Sequence, residues 1–367
     1  MTVPATRPTV LARARGLLAR ELQHLARVNA SSRPWAMPVA AALASGLPIL
    51  IGAWRGDLAH GLVASLGGLV FLYLPGTALS HRMAWLMACA FGLVASYALG
   101  ILSNAYQPLT IPVLALIAIV VTMVCRFYAV PPPGSLFFVM AASIGAYTPA
   151  SGLAAILQVG LVGMGCVLAV GIAFVYSLWM LRRFAPAPAP APVTDFDVVV
   201  VEPVLIGGFV GLSLALAQAL QLPRPYWVPV SCMAVIQGAS LRAVWVRQFH
   251  RIAGTAVGLL VFWALAALPL DAWRIALLLT ALTFVVESLV VRHYGLAVIF
   301  ITPLTILLAD AAHLGTQSPQ ALMQARLVDT VVGCLAGLAG GICLHSTSVR
   351  DRLGAVLRRL LPQRVGG

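Results

Sequence analysis

Two stretches of the chain attach an arginine to a helix face made of glycine and threonine. In HRIAGTAVGLL (250–260), Arg251, Gly254, Thr255 and Gly258 stand at offsets 0, 3, 4 and 7, which puts them on one side of a helix. In RLVDTVVGCLAG (326–337), Arg326, Asp329, Thr330, Gly333 and Gly337 repeat that face. A guanidinium offers a planar fork of donors that suits a carboxylate, so Arg251, Thr255 and Arg326 are candidate contacts for an anion. A plainer reading stands beside this one. Gly254 with Gly258, and Gly333 with Gly337, are spaced as GxxxG-type pairs that let another backbone approach closely. An arginine at the border of an apolar layer can extend its head outward at little cost. Arg326 and Asp329, three residues apart, are expected to neutralise each other.

The remaining ionisable residues inside apolar runs are few. Glu287, in TFVVESLVV, is with Asp329 a candidate for carrying a proton, since an acid within a membrane segment is a functional candidate by default. The alternative is a salt bridge from Glu287 to Arg292 or to a neighbouring helix. Asp310 could pair with Arg326 across a loop. Two runs are interrupted by proline and glycine, VPPPGSLFF (130–138) and YGLAVIFITPLT (294–305). Paired interrupted segments point to a transport site, and Gln237 and Thr302 are candidate polar contacts there. Pro225, Tyr226, Trp227 and Pro229 open another run, where aromatic residues commonly anchor at headgroups; stacking on a substrate is the alternative.

These residues need a scaffold, and composition says which. Of 367 residues, 61% are hydrophobic and only 9% charged, against about a quarter charged in soluble domains. The mean hydropathy is +0.98. Apolar runs approach the ~20 residues that a helix needs to cross a bilayer, without the alternation of a β-barrel. The chain therefore reads as an all-α, polytopic transmembrane helical bundle of about 12 spans. They lie near 34–53, 58–75, 83–102, 109–125, 134–148 and 153–181, then near 200–220, 226–240, 251–269, 272–290, 295–309 and 322–345.

All 23 basic residues are arginine, and the net charge is +13. With both termini cytoplasmic, nineteen arginines fall inside and four (Arg55, Arg224, Arg274 and Arg326) outside, a bias that fits an even number of spans. The basic balance thus reads as topology, and nucleic acid is not an expected partner. Residues 1–33 hold six arginines, with Leu11, Ala14, Leu18, Leu22 and Leu25 at a 3–4 spacing. They read as an amphipathic segment on an anionic leaflet, or less well as a transit peptide; they lack the apolar core of a signal peptide.

The chain divides into that segment (1–33), a first six-helix unit (34–183), an Ala-Pro linker (184–197), a second six-helix unit (198–347) and a basic cytoplasmic tail (348–367). The linker APAPAPAPV is stiff and extended. Asp195, Asp197 and Glu202 after it read as capping and helix N-terminal charge, or as a docking point for an arginine loop. The halves are similar: VGMGCVLAVG (162–171) resembles TVVGCLAGLAGG (330–341), and SHRMAWLMACAFG (80–92) resembles FHRIAGTAVGLL (249–260). Six spans per unit makes the repeats parallel, with a shared cavity expected between them. The six cysteines form no CxxC and read as small buried hydrophobes. No metal or cofactor is expected. No Walker A, HExxH, GxSxG or TVGYG pattern supports an ATPase, an enzyme or a potassium channel.

The second half resembles the fusaric acid resistance family, the FUSC-like or aromatic acid exporter proteins. The resemblance rests on PYWVPVSCMAVIQGASLRAVWVRQFHRIAGTAVGLL (225–260) followed by RLVDTVVGCLAG (326–337). These contain the family's aromatic-Trp start, its Arg-x-x-Gly-Thr-x-x-Gly helix and its Arg-x-x-Asp-Thr-x-x-Gly segment, in order. The plant aluminium-activated malate transporters have a similar six-helix unit. The likeness is good over 200–345 and loose over 34–181, where HRMAWLMACAFG lacks the Gly-Thr step. It implies export of aromatic carboxylic acids or other organic anions and toxic compounds across a bacterial inner membrane. Many relatives carry a large cytoplasmic domain where this chain has only its linker, so a second copy or a periplasmic adaptor stays open. The expectation is a secondary transporter, proton-coupled through Glu287 or Asp329. A passive organic-anion channel and a non-transporting scaffold are the alternatives.

Overall fold

A computed structural model describes residues 28–31, 33–310 and 318–360. The amphipathic reading of residues 1–27 lies outside the described residues, as does the side chain of Asp310. Every element is helical among the described residues. The first half supplies α1 (Ala36–Trp54), α2 (Leu58–Ser65, continued by a 3-10 stretch Leu66–Tyr73), α3 (Leu79–Asn104), α4 (Thr110–Phe127), α5 (Leu136–Ala146) and α6 (Gly152–Leu181). The second supplies α7 (Glu202–Ala219, after a π turn Asp197–Val201), α8 (Trp227–Ile236), α9 (Leu241–Ala266), α10 (Ala272–Leu289), α11 (Tyr294–Asp310) and α12 (Pro319–His345); α13 (Thr347–Leu360) follows.

Eight of these helices are long and apolar enough to cross a membrane among the described residues: α1, α3, α4, α6, α7, α9, α10 and α12. The four shorter apolar helices are the second and fifth of each half. Their shortness has local causes. The Pro131–Pro133 run, with Gly134 in the left-handed region at φ 56°, delays the start of α5, because proline lacks the N–H a helix interior needs. The ten residues of α8 are all buried. At about 15 Å it spans half a bilayer core, so its ends are satisfied by protein. Ser240 then caps α9 by accepting the N–H of Ala243 at 3.2 Å, and Asp271 caps α10 from Arg274 at 2.8 Å.

Long helices pack across the halves in two matching pairs. Helix α1 lies on α10, with Gly46 against Thr280, and α7 lies on α4, with Gly211 against Ala115. Ile49 joins Leu259, Phe262 and Leu279 in one core cluster; Ile206 and Val210 join Leu114 and Met233 in another. Large apolar residues face outward, Phe91 at 77% and Leu153 at 81% exposure, as lipid-facing positions do. The Ala-Pro linker is extended and tied to the first half, Ala187 N–H to the Gly76 carbonyl at 2.9 Å and Val193 N–H to the Phe127 carbonyl at 2.7 Å. Asp195 does cap, accepting the Val198 N–H at 3.0 Å.

Candidate functional site

The glycine faces recognised in the sequence are contact faces. Gly254 and Gly258 on α9 meet α11 at the Gly295 and Ile299 carbonyls, Val298 and Thr302. Gly333 and Gly337 on α12 meet α8 at the Val228 and Cys232 carbonyls, Ser231 and Val235. A Cβ at these positions would collide with backbone, so close approach requires glycine there. Four helices, α8, α9, α11 and α12, are thereby drawn together around the arginines.

Arg251 is the eleventh residue of α9 and 5% exposed. It does not reach outward from a helix end, because α9 begins at Leu241 and continues past it in both directions. Its Nη2 donates to Ser231 of α8 and its Nη1 to the Tyr294 hydroxyl of α11, both at 3.4 Å. Its Nε is buried and makes no hydrogen bond among the described residues. Thr255, one turn on, is buried too.

Arg326 is the eighth residue of α12 and 3% exposed. Its guanidinium carbon stands 4.0 Å over the Trp227 ring, and its Nη2 donates to Thr305 of α11 at 3.1 Å. Such a cation–π contact gains strength when desolvated. Trp227 is only 4% exposed and is a wall of this site, not a headgroup anchor. Neither Arg251 nor Arg326 is a loop residue, so both leave the topology count.

Asp329 is fully buried, and among the described residues neither carboxylate oxygen accepts a hydrogen bond. The local pair with Arg326 expected from the spacing does not close, because Arg326 is turned toward Trp227 and Thr305. Asp329 remains within electrostatic reach of Arg326 and Arg224. Cys334, deeper on α12, is within electrostatic reach of both Arg251 and Arg326. Thr302 contacts Gly258 and donates back to the Val298 carbonyl at 2.9 Å.

Two expected residues lie elsewhere. Gln237, at the end of α8, donates to Ser135 of the first half at 2.9 Å, and Ser135 also accepts from Thr122 at 2.8 Å. Helices α5 and α8 are packed together at this point, where a shared cavity was expected. Glu287 faces Arg33 at 3.7 Å, not Arg292. Arg292 instead stands 4.9 Å over Trp35. These residues line a small recess at one end of α10, with Ser31 and Ser288. Ser231, Tyr294 and Thr305 were not singled out from sequence. The spacing of Trp227 and Ser231, and of Thr302 and Thr305, put each pair on one face, but neither pair carries an ionisable group to draw attention.

Residues 212–340 match the family described as fusaric acid resistance protein-like, which contains every residue of this constellation. The chain is also similar to the uncharacterized membrane protein YvaC of Bacillus subtilis strain 168. The identity is 23% over 483 aligned positions, covering 91% of this chain and 76% of that protein. No solved structure matches.

Proposed function

We propose that this membrane protein, whose second half is the fusaric acid resistance protein-like unit, is a secondary transporter exporting organic anions, aromatic carboxylic acids foremost. In this reading it sits in a bacterial inner membrane with both termini cytoplasmic. It has twelve spans in two parallel six-helix repeats, the second and fifth of each being short. The repeat reading is supported by matching contacts, Gly46 on Thr280 with Gly211 on Ala115, and by short helices at equivalent places.

The single observation that carries the anion reading is the state of Arg251. Among the described residues it is buried between α8, α9 and α11, holds two long hydrogen bonds to neutral hydroxyls, and keeps a donor without one. A carboxylate entering there would replace weak neutral contacts by charge-assisted ones, which are about twice as strong. Arg326, with the Trp227 face beside it, receives the anion next. Proton coupling falls to Asp329. A buried carboxylate without a hydrogen bond needs a proton or a cation to stay in place, and it competes with the anion for Arg326. Glu287, already matched to Arg33 outside the constellation, takes second place.

The test is efflux of a radiolabelled aromatic acid from proteoliposomes. Arg251→Gln lowers flux about 10- to 100-fold, as expected for losing a hydrogen bond to a charged group. Asp329→Asn keeps flux but loses its response to a proton gradient. Full-rate flux in a folded Arg251→Gln protein would falsify the anion site. Wild-type flux that ignores the proton gradient makes the protein a passive channel, and no flux under any gradient leaves a scaffold.

A further inference from the structure

Helix α13 starts one residue after α12 ends, with Ser346 as the joint. At 27 residues, α12 is about 40 Å long, which exceeds the ~30 Å bilayer core. In the membrane reading proposed above, that excess length puts the α12–α13 joint, and α13 with it, at headgroup depth. One side of α13 sits on the turn that precedes α7. Buried Gly354 contacts Asp197 and Val201. Arg358 donates to Asp197 at 2.6 Å and stands 5.1 Å over Phe196. Arg350 is 3.9 Å from Glu202, which Arg126 of the first half also meets at 3.0 Å. Asp197 and Glu202 thus dock onto arginines, the alternative left open for them by the sequence.

About a third of a turn from that seat, at about 100° per residue, runs an apolar stripe of Val349, Leu353, Val356, Leu357 and Leu360. Val356 is 52% and Leu360 75% exposed. Among the described residues, α13 packs chiefly on α12 and the 197–201 turn; Val349, Leu353 and Leu357 are half-buried beside that seat, and Val356 and Leu360 stand open. Arg350 borders it on one edge. Arg352 and Arg359, both exposed and in no ion pair among the described residues, border the other.

We propose that the stripe is a membrane-surface element whose partner is an anionic phospholipid leaflet. An apolar face at headgroup depth, edged on both sides by arginine, buries its aliphatic groups at the acyl boundary and gives its guanidinium groups phosphates to meet. A second copy of α13 would bring the same arginine edges together and is repelled. The proposal does not depend on what the protein transports.

Hydrogen–deuterium exchange of residues 347–360 tests it, on the full-length protein in nanodiscs of zwitterionic lipid and in discs with about 30% anionic phospholipid, where charge density is enough to recruit basic segments. Wild-type exchange in this segment slows about 25-fold in the anionic discs, at about fivefold for each of the two free arginines. The double substitution Arg352→Gln with Arg359→Gln removes the difference between the two lipids. Val356→Ser with Leu360→Ser speeds exchange in both. All four side chains are exposed, and unchanged exchange within α12 verifies the fold. Equal wild-type exchange in both lipids overturns the proposal, as does a lipid difference that survives the arginine substitutions. Protection that follows the number of copies per disc and not lipid charge assigns the stripe to a second copy, and also overturns it.

Discussion

Helices α6 and α12 make the same contact with different chemistry beside it. On α6, Gly165 meets the Ala64 carbonyl and Gly67 of the second helix; on α12, Gly333 meets the Val228 carbonyl and Ser231 of α8. In that register Gln158 stands where the second half has Arg326, Leu161 where it has Asp329, and Val63 where it has Trp227. Close helix packing of this kind therefore forms without an ionisable residue. Arg326 and Asp329 are an addition to the contact and not a condition of it, and buried charges that a fold does not need are costly enough to call for another role. Arginine on the third helix differs in the opposite way, because both halves have it. Arg82, the fourth residue of α3, is buried and donates to the Thr77 carbonyl at 2.6 Å, closing its own turn. Arg251, deeper in α9, reaches two other helices.

The comparison can be broken most sharply by writing the first half's residues into the second. Arg326→Gln with Asp329→Leu is expected to abolish anion flux by about 100-fold, through losing a charged contact. Thermal stability is expected to hold or to rise by about 1–4 kcal/mol, as when buried ions give way to neutral residues. A large drop in melting temperature would mean that the charges serve the fold. Next in size, Gly165→Val and Gly333→Val are each expected to cost about 1–3 kcal/mol by overpacking. Because the contacts correspond, denaturation midpoints should move by similar amounts; a change in only one breaks the equivalence. Arg82→Gln is expected to cost about 1.5 kcal/mol of stability while leaving the transport KM unchanged, unlike Arg251→Gln. A raised KM would join Arg82 to the anion path. The smallest effect belongs to the seam between halves. Gln237→Ala and Ser135→Ala should each cost about 1 kcal/mol, and the double mutant little more, measured as coupling in unfolding equilibria.

Much of this was legible in the sequence, and the reason is local geometry. Helix periodicity placed Arg251, Gly254, Thr255 and Gly258 on one face, and they share it. The fifth segment of each half, interrupted by proline and glycine in the sequence, is short. What failed did so where a residue's surroundings come from elsewhere in the chain. Trp227 looked like a headgroup anchor, since its own short helix does not reveal that Arg326 of α12 covers its ring. Arg326 and Asp329 looked like a local pair, since a spacing of three cannot show that Trp227 and Thr305 hold the guanidinium away. Glu287 was expected to meet Arg292 or a neighbouring helix, and its partner is Arg33, 254 positions earlier, just before α1.

The sequence by itself determined that the chain lies in a membrane, where its helices break, and which residues share a face, because run length, proline and the 3.6-residue period are properties of neighbouring positions. Only the tertiary structure decided what each face meets. The helix order lets α1 cross to α10 and α7 to α4, and it sets α8 between two arginines that are 75 residues apart. Those approaches depend on how whole helices pack, and the period of any single one does not encode them.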